Sequence, residues 1–225
     1  MTTSTGDQEA PYTVAIVAMG PSRNDYLEEC VHGSGRFSVA DETWAINAMA
    51  GAIQHDRAII MDAIPYFSKV AREVDAHQGY ADWLHPHPGP IYTQRHYEGF
   101  PGTIAYPLEA VLNDLRYAYF NNTCAYAVAL AIHFGVKHMR LYGMDFTYAD
   151  NRGFAEAGRA CVEYWLAVAI HRKIKVTIAR SSTLMDQQTG RALYGWSVPP
   201  VLDFKDGKFT VTHPPARGAM PAAGK

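Results

Sequence analysis

The chain has 225 residues, with 20 lysines and arginines against 22 aspartates and glutamates, a formal net charge of -2, and 48% hydrophobic residues. That length supports one sizeable core and is short for two domains, and the near-neutral balance supplies neither a global basic field for nucleic acid nor an acidic tail. The cysteines Cys30, Cys124 and Cys161 are widely spaced and form no CxxC pair, which argues against a disulfide framework or a structural zinc site and fits a reducing compartment.

In chain order, residues 1–11 are polar and predicted to be flexible; the opening MTTSTGDQEAPYT has neither the basic start nor the apolar stretch of a signal peptide. A folded domain is expected over 12–212 and a disordered tail over 213–225. Tyr12–Met19 is a continuous apolar run ending at Gly20-Pro21-Ser22, the pattern of a parallel strand buried on both faces. Further strands are predicted at Glu42–Asn47 and Arg57–Asp62. Residues 63–107 are rich in His, Pro, Gly and Tyr with little periodicity, which predicts an insertion or lid over the site. A helix is expected from Thr123 to Phe134, capped at its start by Asn122 or Thr123 and stopped by Gly135. A strand His138–Gly143, a helix Phe154–Arg172, a strand Ile174–Ala179 and a terminal hairpin around Lys205-Asp206-Gly207-Lys208 follow. The longest apolar stretches, such as Ala125–Ala131, are too short to span a bilayer. Alternating strands and helices predict a single Rossmann-like α/β domain, an open, mostly parallel sheet with helices on both faces.

In such a sheet, ligands bind at the carboxyl ends of strands. Gly20-Pro21-Ser22 allows a tight turn, with Ser22 capping the next helix and backbone amides facing a phosphate, or else is an ordinary strand-to-helix turn. Asn47 reads a base or ribose through its amide, or is a turn residue. Gly143-Met144-Asp145-Phe146-Thr147-Tyr148 closes a strand with an aspartate that either ties loops or reads a ligand. His85-Pro86-His87 looks metal-like, but a loop pair of this kind is more often solvated, so no metal site is assigned. Tyr117, Tyr119, Phe120 and Tyr126 read as packing aromatics. No GK[ST] follows the first glycine and no G-x-S-x-G is present, which removes a Walker loop and a hydrolase elbow.

The order GPS, strand ending in Asn, apolar helix, then L-x-G-x-D-F resembles the bacterial sialyltransferases of lipooligosaccharide synthesis, most closely over Tyr119–Tyr148. The layout is also similar to flagellin-glycosylation accessory factors, archaeal hydroxymethylpterin diphosphokinases and small tailed-phage proteins. The resemblance spans most of 13–186 apart from 63–107. It implies a metal-independent glycosyltransferase, acting from a CMP- or UDP-linked sugar onto a hydroxyl acceptor and needing no further cofactor. Gly20, Pro21 and Ser22 would then lie beside the nucleotide phosphates and Asn47 at base or ribose. Asn122, Thr123, Gly143, Asp145, Thr147, Arg159, Ser182 and Thr183 would complete the donor site, with Tyr148 steadying the leaving group. The sequence departs from the family at Met19, where an asparagine is usual, and in lacking the family's general-base histidine before the helix near residue 153. Glu156 is the nearest replacement, read either as base or as a helix-terminus charge.

The acceptor implied is a glycan hydroxyl. An alternative is a hydroxymethylated pyrimidine in DNA, for which Lys69, Arg72 and Arg95 supply local charge. Two further readings are Mg²⁺-dependent diphosphate transfer to a pterin-like alcohol, using Asp62 and Asp145, and a non-catalytic nucleotide-binding module. The expected location is cytoplasmic, in a bacterial host cell if phage-borne, and a homo-oligomer is compatible with the sequence.

Overall fold

The computed structural model describes residues 13–64, 83–148, 150–189 and 200–213. The expectations for residues 1–11 and for the tail beyond His213 lie outside these, as do Lys69 and Arg72. The chain divides into two compact units, Met1–Gln188 and Thr189–Lys225.

The first unit carries a seven-stranded sheet in the order β5-β4-β3-β2-β1-β6-β7. The strands are β1 (Thr13–Val17), β2 (Glu42–Ile46), β3 (Arg57–Ile59), β4 (Ile91–Thr93), β5 (Thr103–Ala105), β6 (His138–Tyr142) and β7 (Lys175–Ile178). Every pairing is parallel. Four helices accompany them among the described residues: α1 (Arg23–His32), α2 (Leu108–Leu115), α3 (Thr123–His133) and α4 (Arg152–His171). The predicted Rossmann-like α/β architecture is therefore the observed one.

The strands' period of two divides the core between the two faces. Val14, Ile16, Trp44, Ile46 and Leu141 point to the side packed by α2, α3 and α4. Ala15, Val17, Ala45, Ile60 and Tyr142 point to the side packed by Tyr26 of α1. Burying a side chain such as Ile16 or Leu130 contributes about 1.5–3 kcal/mol, and both are wholly enclosed. α3 is apolar almost all round because it is walled by the sheet, α2 and α4. Asn122 caps it, its side chain accepting from the Ala125 amide at 3.0 Å. Gly135, with φ +69°, turns the chain out of the helix while its amide returns to Ile132 O. Phe120 lies stacked between Tyr126 and Trp165, with ring centroids 4.4 and 5.0 Å away, so these aromatics pack as expected.

The lid expected over 63–107 needs correction. Residues 91–93 and 103–105 are strands of the sheet. Three-residue strands show no readable alternation, and their pairing is imposed by the exposed edge of β3. Residues 65–82 of that segment lie outside the described residues.

In the second unit, β8 (Val201–Lys205) and β9 (Lys208–Thr212) form the predicted antiparallel hairpin, with Gly207 at φ +75° in its turn. Among the described residues, no helix is long and apolar enough to cross a membrane.

Candidate functional site at the β1/β6 switch point

The strand order reverses at β1. The chain steps outward from β1 to β5, then returns to place β6 on the other side of β1. The loops beyond β1 and β6 diverge there and leave a crevice at the strands' carboxyl ends. The ladder runs past both strands, Ala18 N–H donating to Tyr142 O and Gly20 N–H to Gly143 O, each at 2.8 Å. Backbones this close exclude side chains. A Cβ on Gly143 would overlap the Ala18 carbonyl, and its φ of +69° favours glycine as well. A Cβ on Gly20 would stand 2.6 Å from Gly143 O.

Ser22 clips the two loops together. Its amide donates to Asp145 Oδ2 at 2.8 Å, and its hydroxyl oxygen accepts from Gly143 N–H at 2.8 Å. Ser22 thus stands at the start of α1 without capping it. The next amides are also engaged, Arg23 N–H with Gly20 O and Asn24 N–H with Pro21 O. The Gly20-Pro21-Ser22 turn has therefore spent its amides inside the protein rather than on a phosphate.

Asp145 is 4% exposed. Its loop is braced by Ser182, whose hydroxyl donates to Met144 O at 3.2 Å, and by Thr183, whose hydroxyl donates to Asp145 O. Phe146 is held at φ +50°, its ring against Gly158 of α4, where a Cβ would come within 2.7 Å. Asn47 also takes a left-handed conformation, φ +53°, as it leaves β2, one that asparagine tolerates better than most residues.

These loops enclose a cavity of about 280 Å³. Gly20, Pro21, Asn47, Gly143, Asp145, Thr147 and Tyr148 line it, together with Cys124 from the start of α3. Asn47 Oδ1 and Asp145 Oδ1 are buried with no hydrogen-bond partner. A buried acceptor left unpaired costs about 1–3 kcal/mol, and two of them on residues lining one cavity make it the candidate site. No lysine, arginine or histidine among the described residues lines it. Comparison with protein-family models, curated proteins and solved structures finds no match to this chain.

Tyr148 is half-exposed and meets Phe154 edge-on, with centroids 5.3 Å apart. Burial raises its phenol above the ordinary value, with a smaller push from Cys124, so it keeps its proton as a donor at neutral pH. Burial likewise pushes the Cys124 thiol up to about 12, leaving no thiolate for nucleophilic work.

The remaining expected site residues stand back from the cavity. Asn122 caps α3 and ties it to α4 through Gly158 O. Thr123 is buried at the helix start. Arg159 pairs with Glu163 and Asp186, both at 2.8 Å, fastening α4 to the 184–189 turn. Glu156 is exposed on α4, two residues beyond Phe154. Sequence reasoning missed Cys124 and the loop-bracing work of Ser22, Ser182 and Thr183, whose partners lie 38 to 123 residues away.

The metal-like histidines part company. His85 is exposed beside Phe100, whereas His87 is stacked on His55, Nε2 to Nε2 at 3.0 Å. Arg95 is exposed, its guanidinium 5.1 Å from the centre of the Tyr97 ring. Among the described residues, no group of three or more His, Cys, Asp or Glu is placed to hold a metal ion.

Proposed function

We propose that the chain is a transferase that binds a nucleotide-activated sugar at the β1/β6 crevice and passes the sugar to a hydroxyl acceptor. The observation that carries the reading is the pair of buried oxygens without partners, Asn47 Oδ1 and Asp145 Oδ1, on two residues that line one cavity at the switch point of a parallel sheet. Nucleotide sugars are rich in hydroxyl donors, and a switch-point crevice suits their elongated shape.

In this reading the acceptor oxygen attacks the anomeric carbon as the bond from that carbon to the nucleotide phosphate oxygen breaks. The acceptor's proton passes to Glu156. The nucleotide departs as its anion, steadied by the Tyr148 hydroxyl, which remains a donor because burial raises its pKa. The contact between Tyr148 and Phe154 supports these roles by joining a cavity-lining residue to the start of α4, two residues before Glu156.

A second reading, a nucleotide-binding module without turnover, is favoured by one observation: of the two residues given catalytic roles, only Tyr148 lines the cavity. Thermal-shift titration with CMP, UDP, GDP, ADP and their sugar conjugates, with and without Mg²⁺, tests both. A metal-independent stabilisation of about 2.7 kcal/mol at a hundred times the dissociation constant is expected from a pyrimidine nucleotide sugar. Turnover of that compound that falls at least tenfold in Glu156→Gln supports the transferase. Saturable binding without turnover leaves the module, and a response only to ATP with Mg²⁺ moves the chemistry to diphosphate transfer.

A further inference from the structure

The charge of the cavity says which part of such a donor enters it. The space is lined by the Asp145 carboxylate, the Asn47 amide, the Thr147 and Tyr148 hydroxyls, the Cys124 thiol and backbone, with no cationic side chain among the described lining residues. The amides of Ser22, Arg23 and Asn24 that would cradle a phosphate are bonded within the protein. A phosphate placed beside the buried Asp145 carboxylate would find only the Thr147 and Tyr148 hydroxyls, and no cationic side chain among the described lining residues, to offset the repulsion. Arg23 stands just outside, its guanidinium donating to Met19 O at 2.6 Å from the neighbouring turn.

We infer that the interior of this cavity holds a sugar ring by its vicinal diol, one hydroxyl donating to Asn47 Oδ1 and the other to Asp145 Oδ1, with the phosphates kept outside. This rests on the nucleotide-sugar reading of the same site. It reverses the orientation that the GPS resemblance implies, in which that turn faces phosphate. A diol suits the two acceptors in chemistry, and one ring suits the cavity in size. Its hydroxyls rotate independently to suit acceptors arriving from different strands, β2 and β6, and a cavity of about 280 Å³ accommodates one ring rather than a whole nucleotide sugar. Two sugar rings carry that diol, the ribose and the transferred pyranose.

Equilibrium binding separates them. CMP, UMP, AMP and GMP are measured against their 2′-deoxy counterparts, and UDP-glucose against UDP, in the native chain, Asp145→Asn and Asn47→Gly. Asp145→Asn keeps an oxygen for the Ser22 amide and places an amide donor where the free acceptor stood, and glycine accepts the left-handed backbone of residue 47. If the ribose occupies the cavity, 2′-deoxy compounds bind at least tenfold more weakly than ribonucleotides, and each variant shrinks that gap to threefold or less. If the pyranose occupies it, UDP-glucose outbinds UDP by tenfold and the advantage disappears in both variants. Either result supports the diol site. Nucleotides that bind the native chain while neither difference responds to either variant overturn the diol but leave the nucleotide reading standing. A preference for amino-bearing bases, CMP and AMP over UMP and GMP, lost in Asp145→Asn overturns it too, by assigning the carboxylate to a base. No binding by any of these compounds overturns the diol and the nucleotide reading together.

Discussion

At the ends of β2 and β6, two oxygens are buried with no donor to meet them, whereas at the entries to β3 and β4 all four nitrogens of a histidine pair are matched. His55 Nδ1 faces Ile53 O at 2.9 Å, and a carbonyl can only accept, so that nitrogen carries a proton. His87 Nδ1 faces the Gly89 N–H at 2.9 Å, and an amide can only donate, so that nitrogen is bare. His87 Nε2 must then hold its ring's proton and give it to His55 Nε2 across 3.0 Å. A metal on His87 Nε2 would force a proton onto Nδ1 against that amide, so the network also argues against metal ligation there. One polar place is closed upon itself and the other is left open. The closed one stabilises the fold, and the open one leaves two acceptors unpaired at a cost to it.

The largest effect should come from breaking the frame of the open site. Gly143→Ala sets a methyl group against the Ala18 carbonyl and strains a backbone at φ +69°, and it should lower stability by about 3 kcal/mol in urea unfolding. A loss below about 1 kcal/mol would mean that the β1 and β6 loops yield easily and that the crevice is not rigid. Ser22→Ala comes next. It strips the acceptor from the buried Gly143 N–H while sparing the backbone bond to Asp145, and it should cost about 2 kcal/mol by the same assay.

The closed site makes a prediction in pH. Burial and the neighbouring His55 lower the pKa of His87 below 6.5. A base whose folded pKa is depressed stabilises the fold fully above its unfolded value and loses that contribution as pH falls through the folded one, because the unfolded chain binds the proton more readily. The geometry agrees in sign, since an added proton would oppose either the Gly89 amide or the partner imidazole. The unfolding midpoint should therefore fall as pH drops below about 6.5, by an amount worth about 1 kcal/mol, the size of one neutral hydrogen bond. In His87→Leu this part of the acid sensitivity should be missing. An unchanged acid profile in that variant would place the sensitivity at another group, and not at Asp114, whose carboxyl is held below 3.8 and acts only at lower pH. Burial works to raise that carboxyl, but His133 and Arg172 outweigh it and hold it down.

The two places were not equally legible in the sequence. A continuous apolar run marked β1, the pattern of a strand buried on both faces, while β2 and β6 were legible as shorter mixed runs between turn residues. The start and stop of α3 were legible because capping by Asn122 and the turn at Gly135 are local chemistry. Asn47 and Asp145 were legible as strand-end polar residues, and the fold brings them to one cavity. The pairing of His55 with His87, 32 residues apart, was not legible, nor was the clip from Ser22 to Gly143 across 121. Those depend on which strands become neighbours, and β4 and β5 were hidden by their three-residue length. Arg159, expected at a phosphate, has two carboxylates for partners, one of them on the 184–189 turn.

The sharpest test of the contrast is also the smallest in energy. If Asp145 Oδ1 is kept unpaired for a ligand, the empty protein carries a cost that a substitution can remove. Asp145→Asn retains an oxygen for the Ser22 amide, discharges a buried group and replaces the unpaired acceptor by an N–H donor. The ligand-free variant should therefore unfold at a slightly higher temperature than the native chain, by roughly 0.5–1 kcal/mol at the midpoint. The same discharge at the closed site has no counterpart, since His55→Ala strands the His87 Nε2 proton and should destabilise. Opposite signs for the two substitutions are what an open binding site and a closed structural pair require. A destabilised Asp145→Asn would mean that its carboxylate, like the histidines, serves chiefly to hold the fold together.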